Sequence, residues 1–467
     1  MASTGPVRRR HVFYVSGFDP KGAAHYHRLY AEEAPKAARV GGYGVQVGKR
    51  RKAGEQAAAW SVEWTGLAGT PSGRDPQPDP DPDRAGSASG TETVHTEIEF
   101  LRWDDIVRDH WPKHAGVLAR DLVTTTWLYV RSGAMWKMLK LAWPPVVALV
   151  TPFLVLMALV AAFPLSVLAG LGLGSAGAPA WAASLAVPLL CVAAFFLARV
   201  AERKMNMQWL LRSYAFTGRQ GTHGWPALEA RLDAFARRIA ERVQAAQPAD
   251  PDLPLPLAGE GRREGPPAAS PVCDEILVVA HSSGSIMASI ALSRALALDP
   301  DLARRGPRLS LLTLGQWSPL LSSLPTAGRF RDELARLGAE PDLDWVDFTA
   351  PPDGCCFALT DPVTAAGLPR SRPDHPRLLS PRFAAMFGAA GYAGIKRDRF
   401  RLHFQYLMAS ELPGDYDYTA ITAGPMTLGA RYAGHASTDG FARFRLFGRT
   451  RSPRRGDDQG PARASFE

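Results

Sequence analysis

From Leu141 to Ala198 the chain carries no Asp, Glu, Lys, Arg or His. That run is too long for one buried helix and long enough for two membrane spans of about 20 residues each. Turn chemistry divides it at Gly170-Leu-Gly-Leu-Gly-Ser-Ala-Gly-Ala-Pro179. The pattern predicts one span over about Trp143–Leu168 and a second over about Trp181–Ala198. Pro144, Pro145, Pro152, Pro164 and Pro188 would be costly inside soluble helices and are better tolerated in membrane ones. The alternative is a helical hairpin buried within a large soluble domain.

The flanks orient the hairpin. Arg131, Lys137 and Lys140 precede it, Arg199, Arg203, Lys204 and Arg212 follow it, and the turn between the spans is uncharged. Excess Lys and Arg marks the cytoplasmic side, so both termini are expected in the cytoplasm, with only the turn crossing an inner membrane. Trp136, Trp143, Trp181 and Trp209 are placed to sit near the interfaces. Met1–Arg10 is polar and basic and does not resemble a signal peptide. The formal charge of +9, from 54 Lys and Arg against 45 Asp and Glu, suits anionic lipid headgroups. The basic residues are scattered and show no zinc-ligand spacing, so nucleic acid is not an expected partner. Of the four cysteines, Cys191 lies in a span, Cys355 and Cys356 are adjacent, and Cys273 follows a Pro/Gly-rich stretch. These do not make a disulfide framework, and a reducing compartment is the simpler reading.

Chemistry concentrates in Glu275–Ile290, E-I-L-V-V-A-H-S-S-G-S-I-M-A-S-I. A run of apolar, mostly β-branched residues stops at a small-x-Ser-x-Gly turn, and a helix-forming run follows at once. The middle residue of such a turn is strained, so the positions two before and two after must be small to let strand and helix pass. Ala280 and Gly284 meet that demand around Ser282. Centring the turn on Ser283 would crowd His281, so Ser282 is the candidate nucleophile. An ordinary strand-to-helix turn with a serine near the helix N-terminus is the plainer alternative.

The remaining chain reads as alternating strands and helices. His11–Val15, Glu97–Trp103, Leu309–Leu314, Leu343–Thr349 and Phe400–Tyr406 read as strands, and Tyr43–Arg50 with Trp60–Trp64 as a hairpin. Ala23–Val40 and Arg329–Leu337 read as helices, as does a short segment opening on Asp104-Asp105, where acidic residues favour the helix dipole. Trp225–Gln244 is amphipathic. Thr70–Gly90 reads as a flexible loop, Pro248–Pro271 as a linker, and 449–467 as a disordered basic tail. The expected fold class is α/β, a mostly parallel sheet with helices on both faces. One hydrolase domain would be assembled from 1–140 and 272–448. Between these halves lie the hairpin at 141–200, the amphipathic segment at 201–247 and the linker at 248–271.

With these motifs in place, the chain resembles the α/β-hydrolase superfamily, in particular its lipase- and esterase-like members. The resemblance rests on Ala280–Gly284, on the strand ending in Ser16-Gly17-Phe18, and on later strands each followed by a candidate acid or base. Ser16-Gly17-Phe18 resembles the superfamily's His-Gly-x oxyanion loop, with Ser16 in place of His. It covers roughly 10–40 and 276–408; the hairpin would be an insertion.

The resemblance implies a serine ester hydrolase with the order Ser, acid, His. Ser282 would attack a carbonyl, a histidine would take its proton, and a carboxylate would fix the histidine's tautomer. The N–H of Ser283 with that of Gly17 or Phe18 would receive the oxyanion. His403 is the first candidate base, His435 the alternative, and His375 in a Pro-rich stretch the least favoured. Asp353 in Pro351-Pro-Asp-Gly354 is the first candidate acid, and Asp361 in Thr360-Asp-Pro-Val363 the alternative. Asp-Gly and Asp-Pro also form plain turns. Asp347 is expected to face out of its strand or to cap a neighbour, and His281 to shape the turn. His25 and His27, two apart on a helix, point to different sides, so no metal or cofactor is expected. The expected substrate is a hydrophobic ester or acyl lipid at the membrane, cleaved at its cytoplasmic face. A non-catalytic membrane protein that keeps the scaffold for binding is the competing class. The hairpin is expected to be separable from the chemistry as a unit.

Overall fold

The strand that leads into Ser282 sits near the middle of a nine-stranded sheet. The computed structural model describes residues 6–67, 91–111, 114–246, 273–438 and 440–444. The expected loop at 70–90, linker at 248–271 and tail at 449–467 lie outside the described residues. The strands are β1 (Arg9–Val15), β2 (Gly44–Val47), β3 (Arg51–Lys52), β4 (Ala57–Leu67), β5 (Thr91–Leu101), β6 (Glu275–His281), β7 (Arg308–Leu314), β8 (Leu343–Phe348) and β9 (Arg377–Leu379). Their order is β2-β4-β5-β1-β6-β7-β8-β9, with β3 beside β4. From β5 to β9 every pairing is parallel, and β2, β3 and β4 form an antiparallel edge. The fold is therefore α/β with a mostly parallel mixed sheet. The chain before and after the hairpin builds this one sheet, because β1 lies between β5 and β6.

β6 is buried along its whole length. Ile276, Val278 and Ala280 enter one core, and Leu277 and Val279 the other. A continuous apolar run serves both faces because successive side chains alternate and helices cover each side. Helix Gly22–Gly41 covers one face through Tyr26 and Tyr30. Pro226–Ala245 and Gly284–Leu298 cover the other, joined by Arg294 to Glu229 and Asp233.

The uncharged run forms two helices, Trp143–Ser175 and Ala180–Met205. Both contain stretches long and apolar enough to cross a membrane. The first has 33 residues and spans roughly 50 Å at 1.5 Å per residue. Its glycines at 170, 172 and 174 stay helical, and the turn is confined to Ala176–Pro179. The hairpin is also less separable than expected. Val146 and Leu149 are 3% and 2% exposed and belong to the same core as Ile276. Farther out, Phe163, Leu168, Trp181 and Leu197 stand 62%, 62%, 69% and 71% exposed. The base of the first apolar helix is thus part of the globular core, and its outer part faces outward.

One expected strand is a helix. Phe400–Tyr406 alternates apolar and polar residues, yet Arg399–Phe404 is helical, with Asp398 accepting from the Arg401 N–H as its cap. Seven residues are too few for the pattern to separate the two periods. The last strand is instead the three-residue β9.

Candidate active site

Parallel pairing of β1 with β6 sets Val15 opposite Ala280, so the loops that leave these strands emerge side by side. Ser282 lies between β6 and its helix with φ of 57°, the left-handed region that a non-glycine residue rarely occupies. Its N–H donates to the Leu314 carbonyl at 2.8 Å. The turn leaves no room around it. A Cβ at Gly284 would lie 2.5 Å from the carbonyl oxygens of Val15 and Ser16, and one at Gly17 2.9 Å from the Ser282 Cβ. The small residues that the sequence places here therefore answer a backbone crossing.

Ser282 Oγ is 2.9 Å from His403 Nε2, and His403 Nδ1 is 2.8 Å from Asp353 Oδ2. Three segments supply the chain: the turn after β6, the loop after β8, and helix Arg399–Phe404. All three residues are about 1% exposed. Burial alone would raise the Asp353 carboxyl, but His403 beside it and the Cys355 N–H, at 3.1 Å from Oδ1, outweigh that and hold it below the ordinary carboxylate range. An ionised Asp353 can only accept, so His403 Nδ1 carries the proton and Nε2 is left to accept from the Ser282 hydroxyl. Tyr406 adds a hydrogen bond to Asp353 Oδ2 at 3.2 Å. Its hydroxyl also accepts from the Ala350 N–H at 2.8 Å.

His281 stands behind the base. Its Nε2 is 2.9 Å from the His403 carbonyl, and burial pushes its pKa down to about 3. It is neutral there, so Nε2–H donates and fixes the backbone of the residue that faces Ser282.

The expected oxyanion groups are close, but one is occupied. The Phe18 N–H donates to Ser283 Oγ at 2.8 Å. The Ser283 N–H, just ahead of helix Gly284–Leu298, makes no hydrogen bond among the described residues. Gly17 backs directly onto the Ser282 side chain.

The alternatives lie elsewhere. Asp361 accepts from the Val363 N–H at 2.8 Å as a helix cap and pairs with Arg370 at 2.7 Å. His435 faces Asp415 at 3.6 Å, and His375 bonds the Leu337 carbonyl. Asp347 does not face outward: it is fully buried, bonded by Thr313 at 2.5 Å and Thr349 at 3.3 Å, and burial pushes it up to about 8. His27 bonds the Gly48 carbonyl, apart from His25.

Asp353, Cys355 and His403 offer ligand atoms within 4.8 Å of one another. The set suits proton transfer better than a cation. Asp353 and His403 already satisfy each other, and burial followed by the Asp353 charge pushes the Cys355 thiol up, away from the thiolate a metal would need.

Sequence reasoning missed Tyr406 and Trp209. Trp209 reads as an interface anchor, yet its Nε1–H donates to the Phe18 carbonyl at 2.8 Å. Its ring lies 6.0 Å from that of His403 and 5.6 Å from that of Phe400. Trp209 belongs to helix Met207–Thr222, which follows the second apolar helix after Asn206 in the left-handed conformation. Tyr214 of the same helix donates to the Pro145 carbonyl at 2.8 Å and packs on Trp317. Only the distances between segments could reveal these roles, since nothing local distinguishes either residue.

Comparison with known protein families, curated proteins and solved structures gives no match for the chain.

Proposed function

We propose that this protein is a membrane-anchored serine hydrolase of the α/β-hydrolase type that cleaves a carboxylic ester of a hydrophobic substrate, an acyl lipid in the first instance. The observation that carries the reading is the buried chain Asp353–His403–Ser282, with its serine held at positive φ on a strand-to-helix turn. Fold alone would not support an activity. Here three segments distant in sequence meet within hydrogen-bond reach, in tautomers that suit proton transfer.

In this reading Ser282 Oγ attacks the ester carbonyl carbon while its proton passes to His403 Nε2. The imidazolium is stabilised by Asp353, which Tyr406 and the Cys355 N–H hold in place. The carbonyl oxygen becomes an oxyanion beside the Ser283 N–H. Because Ser283 Oγ already takes the Phe18 N–H, the oxyanion either displaces that hydroxyl or binds through it. His403 then gives its proton to the leaving alkoxide oxygen, and the acyl group remains on Ser282. Water attacks the acyl-enzyme with His403 again as base, which releases the acid and restores the hydroxyl. No step needs a cofactor.

The base of the apolar hairpin packs in the core that carries the site, and Trp209, just past the second apolar helix, covers His403. That placement favours a substrate delivered from a bilayer, with the catalytic domain on the cytoplasmic side where the basic flanks lie. The test is a fluorophosphonate probe on the full chain in detergent. Labelling that disappears in Ser282→Ala supports the enzyme. A folded wild-type chain that takes no label points to the competing class, a scaffold that binds without turnover.

A further inference from the structure

Two segments flank the hairpin in sequence, and they meet in space. Helix Ala115–Arg131 leads towards the first apolar helix, and helix Met207–Thr222 leaves the second. Between them lies a cavity of about 620 Å3 whose lining includes Arg120, Arg131, Arg219 and His223. Beside these, the nearby carboxylate Asp121 is buried and already engaged by Arg219, with Arg120 at 3.5 Å. Arg131 is exposed and makes no ion pair among the described residues. The cavity therefore carries a surplus of positive charge.

Its rim is apolar. Val123, Trp127 and Val130, at i, i+4 and i+7 of helix Ala115–Arg131, are 52%, 61% and 47% exposed. A stripe of exposed Val and Trp bounded by Arg120 and Arg131 on one helix is the pattern of a segment lying in a membrane interface. In an aqueous domain such a stripe would be unexplained, whereas here it is continuous in sequence with the exposed apolar hairpin. A lone phosphate would use the arginines and leave Trp127 idle. A lipid uses both, with its headgroup among the guanidinium groups and its chains along the apolar stripe.

We propose that this cavity binds the headgroup of an anionic membrane lipid, and that helix Ala115–Arg131 rests in the cytoplasmic-side interface. The proposal rests on the hairpin crossing a bilayer and is independent of the chemistry at Ser282.

The test uses the full chain in detergent with added phosphatidylglycerol or phosphatidylcholine, read as bound lipid by native mass spectrometry. Wild type should retain phosphatidylglycerol preferentially. Arg120→Gln with Arg131→Gln should lower that retention by about 25-fold, since each basic residue near a lipid surface contributes on the order of a fivefold effect. Both residues are exposed, so the fold should survive. Trp127→Ala should weaken retention as well, and millimolar glycerol phosphate should not displace the lipid. Equal retention of the two lipids overturns the proposal. So does an equal loss in the remote pair Arg304→Gln with Arg305→Gln, which would mean unspecific charge. Displacement by glycerol phosphate, with no effect of Trp127→Ala, would assign the cavity to a soluble anion instead. Failure of the hairpin reading is separately visible, because the chain would then leave membranes in alkaline carbonate.

Discussion

The polar cluster after the central strands and the apolar hairpin are held in place by opposite means. In the loops that leave the central strands, Ser282, His403 and Asp353 are shut away from solvent and hydrogen-bonded to one another. In the outer hairpin, large apolar side chains such as Phe163 and Leu197 are mostly exposed. A buried polar chain depends on direction and distance to fractions of an ångström, because each unmet partner is costly. An apolar span depends mainly on length and the absence of charge. The two regions meet at Val146, Leu149 and Trp209, and that meeting is where the comparison can be tested.

The largest effect should separate two carboxylates that the sequence leaves close to equal. Asp353→Asn should lower kcat for ester hydrolysis by about 10⁴, because the amide no longer selects the Nδ1–H tautomer of His403. Asp361→Asn should leave kcat within about threefold and cost about 1–3 kcal/mol of stability through its cap and Arg370. Steady-state kinetics with denaturant melts checks both, and the reverse ranking would break the assignment.

The next effect concerns where the hairpin ends. Replacing residues 139–200 with a Gly/Ser linker should abolish folding. It removes Val146 and Leu149 from the core, at about 2–5 kcal/mol for a large buried side chain. Replacing 153–201 instead should give a chain that stays in solution and still turns over a short, water-soluble ester. Far-UV dichroism and hydrolysis of a p-nitrophenyl ester read the two outcomes. If both deletions behave alike, the boundary drawn at the buried base is wrong.

A smaller effect is expected at the contact itself. Trp209→Phe keeps the ring but loses the hydrogen bond to the Phe18 carbonyl. In the proposed mechanism Phe18 carries one of the two oxyanion-side N–H groups, so kcat should fall by roughly 10-fold with KM little changed. A change in KM alone would make Trp209 a substrate contact instead.

The smallest effect tests burial without function. Asp347, pushed up to about 8, stays protonated in the fold while it ionises in the unfolded chain. The folded state therefore holds the extra proton between the ordinary carboxylate range and about pH 8, and stability should decline as pH rises through that window. Asp347→Asn should flatten the decline and raise Tm at pH 8 by a few degrees, with activity retained. Melts at pH 5 and pH 8 decide it.

Much of this was legible in the residues, for identifiable reasons. The tight turn at Ser282 announces itself because apolar run, small residues and helix-forming run are adjacent in sequence, and the crossing of Gly284 over Ser16 admits no larger side chain. The hairpin announces itself because few structures besides paired apolar helices accommodate so long a stretch without charge. Local pattern failed at Phe400–Tyr406, where alternation over a few residues fits a capped helix as well as a strand. It also failed at the inner turns of the first apolar helix, since an apolar residue bound for a core and one bound for lipid have the same composition.

The sequence by itself thus determined the class of fold, the serine and the apolar length, because each is written in neighbouring residues. Only the tertiary structure decided which aspartate faces His403, that Trp209 holds the Phe18 loop, that Ser283 occupies the Phe18 N–H, and where core gives way to outward-facing hairpin. Those depend on distances between segments that lie 50 to 265 residues apart along the chain, from His403–Asp353 to Phe18–Ser283. Such distances are set by how helices and strands pack, and local residue chemistry does not encode them one segment at a time.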